Sequence, residues 1–274
     1  MTPSGQPRFE TNELTVKRAL GAVGRRVSAI PERTSWKISG GQSRNREKLE
    51  NFKNRHQGQT GVIIANGPSI NKTDMSILKD FHCFSMNRAY LAWTDWGFTP
   101  AYFVSINGLV LSQFASEIAE LQCTKFLDAR SRSGYSSNRD DLILLNTRYG
   151  LVDEFDGSGK VFSTGGTVTF VAMQLAFLMG FSRVVLVGLD HRFGSKVNPN
   201  ETATRDGAPD QDHFRPDYFP PGTKWQGPDL KRSEVAYAIA REAYSRAGRT
   251  IVDATVGGDC QVFDKVPLEA AVNR

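Results

Sequence analysis

The stretch that decides the fold is Gly61-Val-Ile-Ile-Ala-Asn-Gly-Pro-Ser-Ile70. Four apolar residues in a row run into Asn66-Gly67-Pro68-Ser69, which reads as a buried strand breaking into a tight turn. Gly67 lets the backbone turn sharply or approach a ligand, and Pro68 fixes φ and stops the strand. Asn66 and Ser69 put polar groups at the strand's carboxyl end, where nucleotides sit in open α/β sheets. Ser69 or Asn71 is then a candidate cap for a helix over 74–80, whose N-terminus would favour a phosphate. An ordinary strand-to-helix turn reads the same way, since neither GxGxxG nor the Walker GxxxxGK[ST] pattern is present here.

Outward from this stretch, short apolar runs alternate with helical ones. Strands are expected at 62–65, 83–86, 102–105, 124–127, 142–145, 183–187 and 250–253, and helices at 75–79, 109–121, 166–179 and 229–247. Such alternation implies a mostly parallel sheet covered on both faces, an α/β fold of the doubly wound kind. The 274 residues, 39% apolar and 10% aromatic, suffice for one large domain with a real core. The expected division is a leader over 1–57, with weak helical stretches at 14–27 and 44–55, and a nucleotide-binding catalytic domain over 58–274. Within that domain 194–227 is long, polar and rich in Pro and Gly, a length that marks function or disorder. Its aromatics, Phe214, Tyr218, Phe219 and Trp225, argue against disorder, so it reads as a lid.

Charge is unevenly spread. Residues 1–60 hold 12 basic and 5 acidic residues, +7, leaving 34 − 12 = 22 basic and 29 − 5 = 24 acidic, −2, for the rest. The basic leader suits a solvated segment or contact with an anionic membrane surface, and no nucleic-acid-binding motif accompanies it. The most apolar run, 168–181, is too short to span a bilayer and contains Thr and Gln. The first residues lack the apolar core of a signal peptide, and Cys83, Cys123 and Cys260 lack metal or disulfide spacing. The expected location is cytoplasmic, with peripheral membrane contact through the leader.

Chemistry-bearing residues gather at the expected strand ends. Asn87 and Asn107 follow the runs at 83–86 and 102–106, each an Asx-turn candidate or a ligand for ribose, base edge or phosphate. Ser163-Thr164-Gly165-Gly166-Thr167 opens a helix, as a simple N-cap or as an anion site. The run 183–187 ends in Gly188-Leu189-Asp190, followed by His191-Arg192; Asp190 suits a metal, a ribose hydroxyl or a neighbouring backbone group. His213 lies in the presumed lid, either exposed or a general base. Asp210-Gln211-Asp212 matches the DxD metal pattern of many glycosyltransferases but sits in a loop. Lys224-Trp225 suits a phosphate or sugar contact, or lid packing.

Together Asn66-Gly67-Pro68-Ser69, Asn87, Asn107, Gly165-Gly166-Thr167 and Gly188-Leu189-Asp190 resemble the group that includes bacterial family 42 sialyltransferases and the DUF115, or MptE-like, proteins. In both, a GxGPSL turn opens a Rossmann-like sheet, and a Gly-rich helix start leads to a strand ending in Gly-x-Asp. The resemblance runs over about 61–193, more loosely to 263, and leaves out the basic leader. The sialyltransferase branch implies a metal-independent inverting glycosyltransferase. In it Asn66–Ser69, Asn87 and Asn107 hold a cytidine nucleotide, Thr164–Thr167 lie near ribose or phosphate, and a His is the base. The Tyr that follows Gly-x-Asp there is absent; Arg192 stands in its place to steady the leaving phosphate. The MptE-like branch implies transfer of diphosphate from ATP to a hydroxymethyl-pterin, with Asp190 a candidate Mg²⁺ ligand. The expectation carried forward is a transferase joining a nucleotide-sugar donor, CMP-linked as the sialyltransferase branch implies, to a surface-glycan acceptor. It needs no cofactor, uses His213, Asp190 and Arg192 as its chemical groups, and forms a homo-oligomer.

Overall fold

All seven expected strands form, inside one eight-stranded sheet. A computed structural model describes residues 41–135, 139–150, 153–194 and 196–272. In chain order the elements are α1 (Gly41–Glu50), β1 (Thr60–Ile64), β2 (His82–Met86), β3 (Tyr102–Ser105), α2 (Gly108–Gln113), α3 (Ala115–Glu120), β4 (Thr124–Asp128) and β5 (Leu142–Leu145). They continue with β6 (Thr147–Arg148), β7 (Phe162–Ser163), α4 (Val168–Leu178), β8 (Arg183–Val187), β9 (Thr202–Thr204), β10 (Lys224–Gln226), α5 (Leu230–Arg246), β11 (Thr250–Asp253), β12 (Asp264–Lys265) and α6 (Leu268–Val272). The sheet runs β12-β11-β8-β1-β2-β3-β4-β5, with every pairing parallel.

This order positions the site. The chain starts mid-sheet at β1 and steps outward to β5. It then crosses back to β8 on the other side of β1 and steps outward again. The direction of winding reverses between β1 and β8, and in doubly wound sheets the crevice at that reversal is where ligands bind. Ile64 pairs with Val187, so the two strands end level.

Burial explains the strands. Val62, Ile63 and Ile64 in β1 and Val184–Val187 in β8 are almost wholly buried, as continuous apolar runs in a two-faced sheet should be. Helix α4 is buried nearly all round, which accounts for its apolar sequence without a membrane. Its one amide, Gln174, accepts from the Ser163 N–H at 3.1 Å and donates to the Ser163 and Phe170 carbonyls. A buried amide is tolerated when its groups are paired in this way. Among the described residues no helix is long and apolar enough to cross a membrane.

Three expectations change. No α-helix covers 74–80: the chain makes two 3₁₀ turns, Pro68–Lys72 and Met75–Leu78, the second capped by Asp74. Each is too short to propagate as an α-helix, so no helix terminus waits there for a phosphate. The helix over 109–121 breaks at Phe114, whose backbone leaves the helical region while its ring is buried beneath Arg88, 4.0 Å from the guanidinium carbon. The compact unit begins at Asn45, before the expected boundary at 58. Leu49, Phe52 and His56 are buried, and Phe52 packs edge-on against Tyr102 and Phe126. Of the expected leader helices, 44–55 overlaps α1, while 14–27 lies outside the described residues.

The stretch expected to form a lid carries a short antiparallel pair, β9 with β10. Phe214, Tyr218 and Trp225 are buried. It is folded as a wall, which the sequence anticipated only through its aromatics.

Candidate functional site

At the carboxyl ends of β1 and β8 the backbones almost touch. The Gly67 N–H donates to the Gly188 carbonyl at 2.9 Å. A Cβ on Gly67 would lie 1.9 Å from Asp190 Oδ2, so only glycine fits there. Ser69 donates its N–H to Asp190 Oδ1 at 3.1 Å and its hydroxyl to Oδ2 at 2.5 Å. Asp190 thus braces the turn after β1, one of the three roles the sequence left open for it. Pro68 begins the first 3₁₀ turn, and Ser69 within that turn is buried.

A cleft of about 160 Å³ opens above this brace. Asn66, Gly67, Asn87, Gly166, Thr167, Asp190, Arg192 and His213 line it, so one cavity gathers eight of the expected site residues from five separate segments. Asn66 donates its amide to the Met86 carbonyl at 3.2 Å, while its Oδ1 is buried without a hydrogen-bond partner among the described residues. An orphaned acceptor in a cleft is what a ligand donor would satisfy. Asn87 takes a left-handed backbone, φ 51°, and its Oδ1 accepts from Ser105 Oγ at 3.0 Å.

The other expected residues have internal duties. Asn107 does not line the cleft; its side chain caps α2 by accepting from the Leu109 N–H at 2.9 Å. Gly165 donates its N–H to Asp153, and the Thr164 N–H donates to the Arg148 carbonyl. Thr167 caps α4 through the Thr169 N–H and still reaches the cleft. Much of the amide array of 164–167 is therefore used within the protein, which weakens it as an anion site. Arg192 is exposed and held by Asp259 in a two-point pair at 2.7 and 2.9 Å, so its charge at the cleft is partly compensated.

His213 is set with more care than a loop histidine needs. Its Nδ1 lies 3.1 and 3.0 Å from the two oxygens of Asp210, whose side chain is fully buried. Arg205 pairs with the same carboxylate at 2.6 Å. Burial pushes Asp210 up, but His213, then the Asp212 N–H and then Arg205 outweigh that and hold it below the usual carboxylate range. The ring of His213 lies parallel to Tyr218, with centroids 3.9 Å apart. This arrangement fixes the proton on Nδ1 and leaves Nε2 as the basic nitrogen. The same bonds answer the DxD reading: Asp210 serves His213 and Arg205, and Asp212 accepts the Gly194 N–H at 2.7 Å. Trp225 is buried beneath Arg205, at 4.8 Å, so its ring packs within the 194–227 segment.

Sequence reasoning passed over Tyr237 and Ser233, which line the cleft from α5. Burial pushes the Tyr237 phenol up to about 12, so it stays a donor. Their only sequence signal was their spacing of four on one helix face. Asp153 was also missed. It is buried and accepts from Ser163 Oγ, the Gly165 N–H and Arg232, thereby shaping the 163–167 turn.

Comparison with known proteins gives two findings. Among solved structures, the chain is similar to the Maf glycosyltransferase of Magnetospirillum magneticum AMB-1. The TM-score is 0.48 and the identity 13%, over 80% of this chain and 37% of that one. This chain therefore spans little more than a third of that protein's length. No curated protein matches the sequence. The family described as "6-hydroxymethylpterin diphosphokinase MptE-like" matches residues 41–196, more than half of the chain and the part that carries β1 to β8. The chain belongs to the MptE-like family.

Proposed function

We propose that the protein is a nucleotide-dependent transferase that activates an acceptor hydroxyl with His213, and that its donor is a CMP-linked sugar. The observation that carries this reading is the Asp210–His213 pair on the wall of the switch-point cleft. In the same cleft the orphaned Asn66 Oδ1 and Asn87 offer polar contacts to a nucleoside. In the reaction His213 Nε2 takes the proton of an acceptor hydroxyl on a glycan. The oxygen attacks the anomeric carbon as the bond from that carbon to the phosphate oxygen breaks, and nucleoside monophosphate leaves. Tyr237 and Arg192 are the donors available to the departing phosphate.

A second reading is favoured by the family match. There the hydroxyl is a hydroxymethyl group on a small heterocycle, its oxygen attacks the β-phosphorus of ATP, and AMP leaves. His213 keeps its role. Asp190, the expected Mg²⁺ ligand, is occupied by Ser69, and no group of three potential ligands converges among the described residues. Mg²⁺ in this reading would be held chiefly by the ATP phosphates, since Asp190 as it stands is committed to Ser69.

The test is turnover of CMP-sugar and of ATP by His213→Ala and Asp210→Asn. Removing a general base costs about 10²–10⁴ in kcat. The loss should appear in kcat, with nucleotide affinity kept. Full activity in His213→Ala would sink both readings.

A further inference from the structure

We infer that Arg88 is a positioning residue that joins nucleotide contact at Asn87 to the placement of His213; this rests on the reading of His213 as the base. Arg88 directly follows Asn87 at the end of β2, yet it is only 5% exposed. Its carboxylate partner, Glu117, is 3.5 Å away and half exposed, a weak match for a buried cation. A charge so placed is costly unless its donors are used. They are used on one loop and its surroundings. The guanidinium donates to the Tyr218 carbonyl and, at 3.3 Å, to Tyr90 Oη. The Arg88 N–H donates to Tyr218 Oη at 3.2 Å. Tyr218 is in turn the ring on which His213 lies flat.

The base loop has a second fastening. The Phe214 N–H donates to the Asn66 carbonyl at 3.0 Å, and Asn71 donates to the Phe214 carbonyl at 2.7 Å. The loop is thereby tied to the strand end that carries each asparagine of the cleft, β1 through Phe214 and β2 through Tyr218. A nucleotide that pulls on Asn87 moves the backbone from which Arg88 holds Tyr218. Donor binding then sets the base before the acceptor arrives.

The chain has four histidines, so the His213 ring protons can be assigned in the full-length protein by single His→Gln changes. Stacking on Tyr218 should displace them from the free-histidine position. In Arg88→Met they should move toward that position while His191 stays, and Arg88→Lys, which can still reach the Tyr218 carbonyl, should restore most of the displacement. Adding CMP should perturb His213 less in Arg88→Met than in the wild type, where the pull through Asn87 adds to the direct contact, although CMP still raises the Tm of both. Unmoved His213 protons in nucleotide-free Arg88→Met would overturn the proposal. If Arg88→Met does not fold, Arg88→Gln, which keeps one donor, decides by the same spectrum. If neither CMP nor ATP touches the wild type, the transferase reading fails, and the link from Arg88 to His213 still stands or falls on the nucleotide-free spectra.

Discussion

At the scale of single residues, the turn after β1 shows how closely the cleft is built. Gly67 has an ordinary extended φ of −72°, so its glycine is required by space rather than by dihedral angle. Gly67→Ala must push Asp190 off Ser69, since the added carbon would sit 1.9 Å from the carboxylate. The predicted result is a loss of about 1–3 kcal/mol in urea unfolding, the usual range for overpacking, together with weaker nucleotide binding. Wild-type stability in that variant would show that the brace is slack. The asparagine-glycine turn was legible because a strand, a glycine and a proline each announce themselves locally. The partners were not: nothing in the spacing of Ser69 and Asp190, or of Asp210 and Arg205, says that they meet. Asn107 shows the converse. Its place at a strand end was read correctly, and there it performs the commonest task of such an asparagine, capping a helix.

At the scale of elements, the segment after α1 fastens the back of the sheet. The N–H groups of Asn54, His56 and Gly58 donate to the carbonyls of Leu178, Met179 and Gly180. His56 stacks on Phe181 and lies against His82, ring centroids 4.8 and 3.8 Å away. Burial first, and then the charge of His82, lower the His56 pKa from 6.5 to about 4. Burial and Arg55 lower His82 as well. Histidines lowered in the folded state take up protons more readily when unfolded, so stability is full above about pH 6.5 and falls as pH drops toward about 4. Tm should fall across that window, and His56→Gln should flatten the slope. A Tm in the wild type that holds level from pH 7 to 4 would contradict this. The segment read as part of a leader because its charges dominate the local sequence. Leu49, Phe52 and His56 keep the i, i+3, i+7 spacing of one helix face, but with only two apolar residues among many charges the stripe is faint, and the tertiary partners on β3 and β4 are what bury it. The strands were legible for the opposite reason: in a sheet buried on both faces the apolar run is continuous and needs no partner to be recognised.

For the whole molecule, the winding order makes the function arguable. The reversal between β1 and β8 places the Asn66–Ser69 turn and the Gly188–Asp190 turn side by side, although they are more than a hundred residues apart in sequence. Winding back across the sheet also brings 210–219 over the same rim; local composition marked that segment as functional, but not its partners Asn66 and Arg88. Nucleotide binding at this rim should show in thermal unfolding of the full chain with CMP, CTP, UDP, GDP and ATP, each in EDTA and in Mg²⁺. A ligand that binds only the folded state at 100 times its Kd adds about 2.7 kcal/mol. Tm should rise with CMP in EDTA, which would direct the search to CMP-sugars. A rise with ATP alone, and only with Mg²⁺, would move the assignment to diphosphate transfer. No rise with any of the five would mean that this rim does not bind a nucleotide.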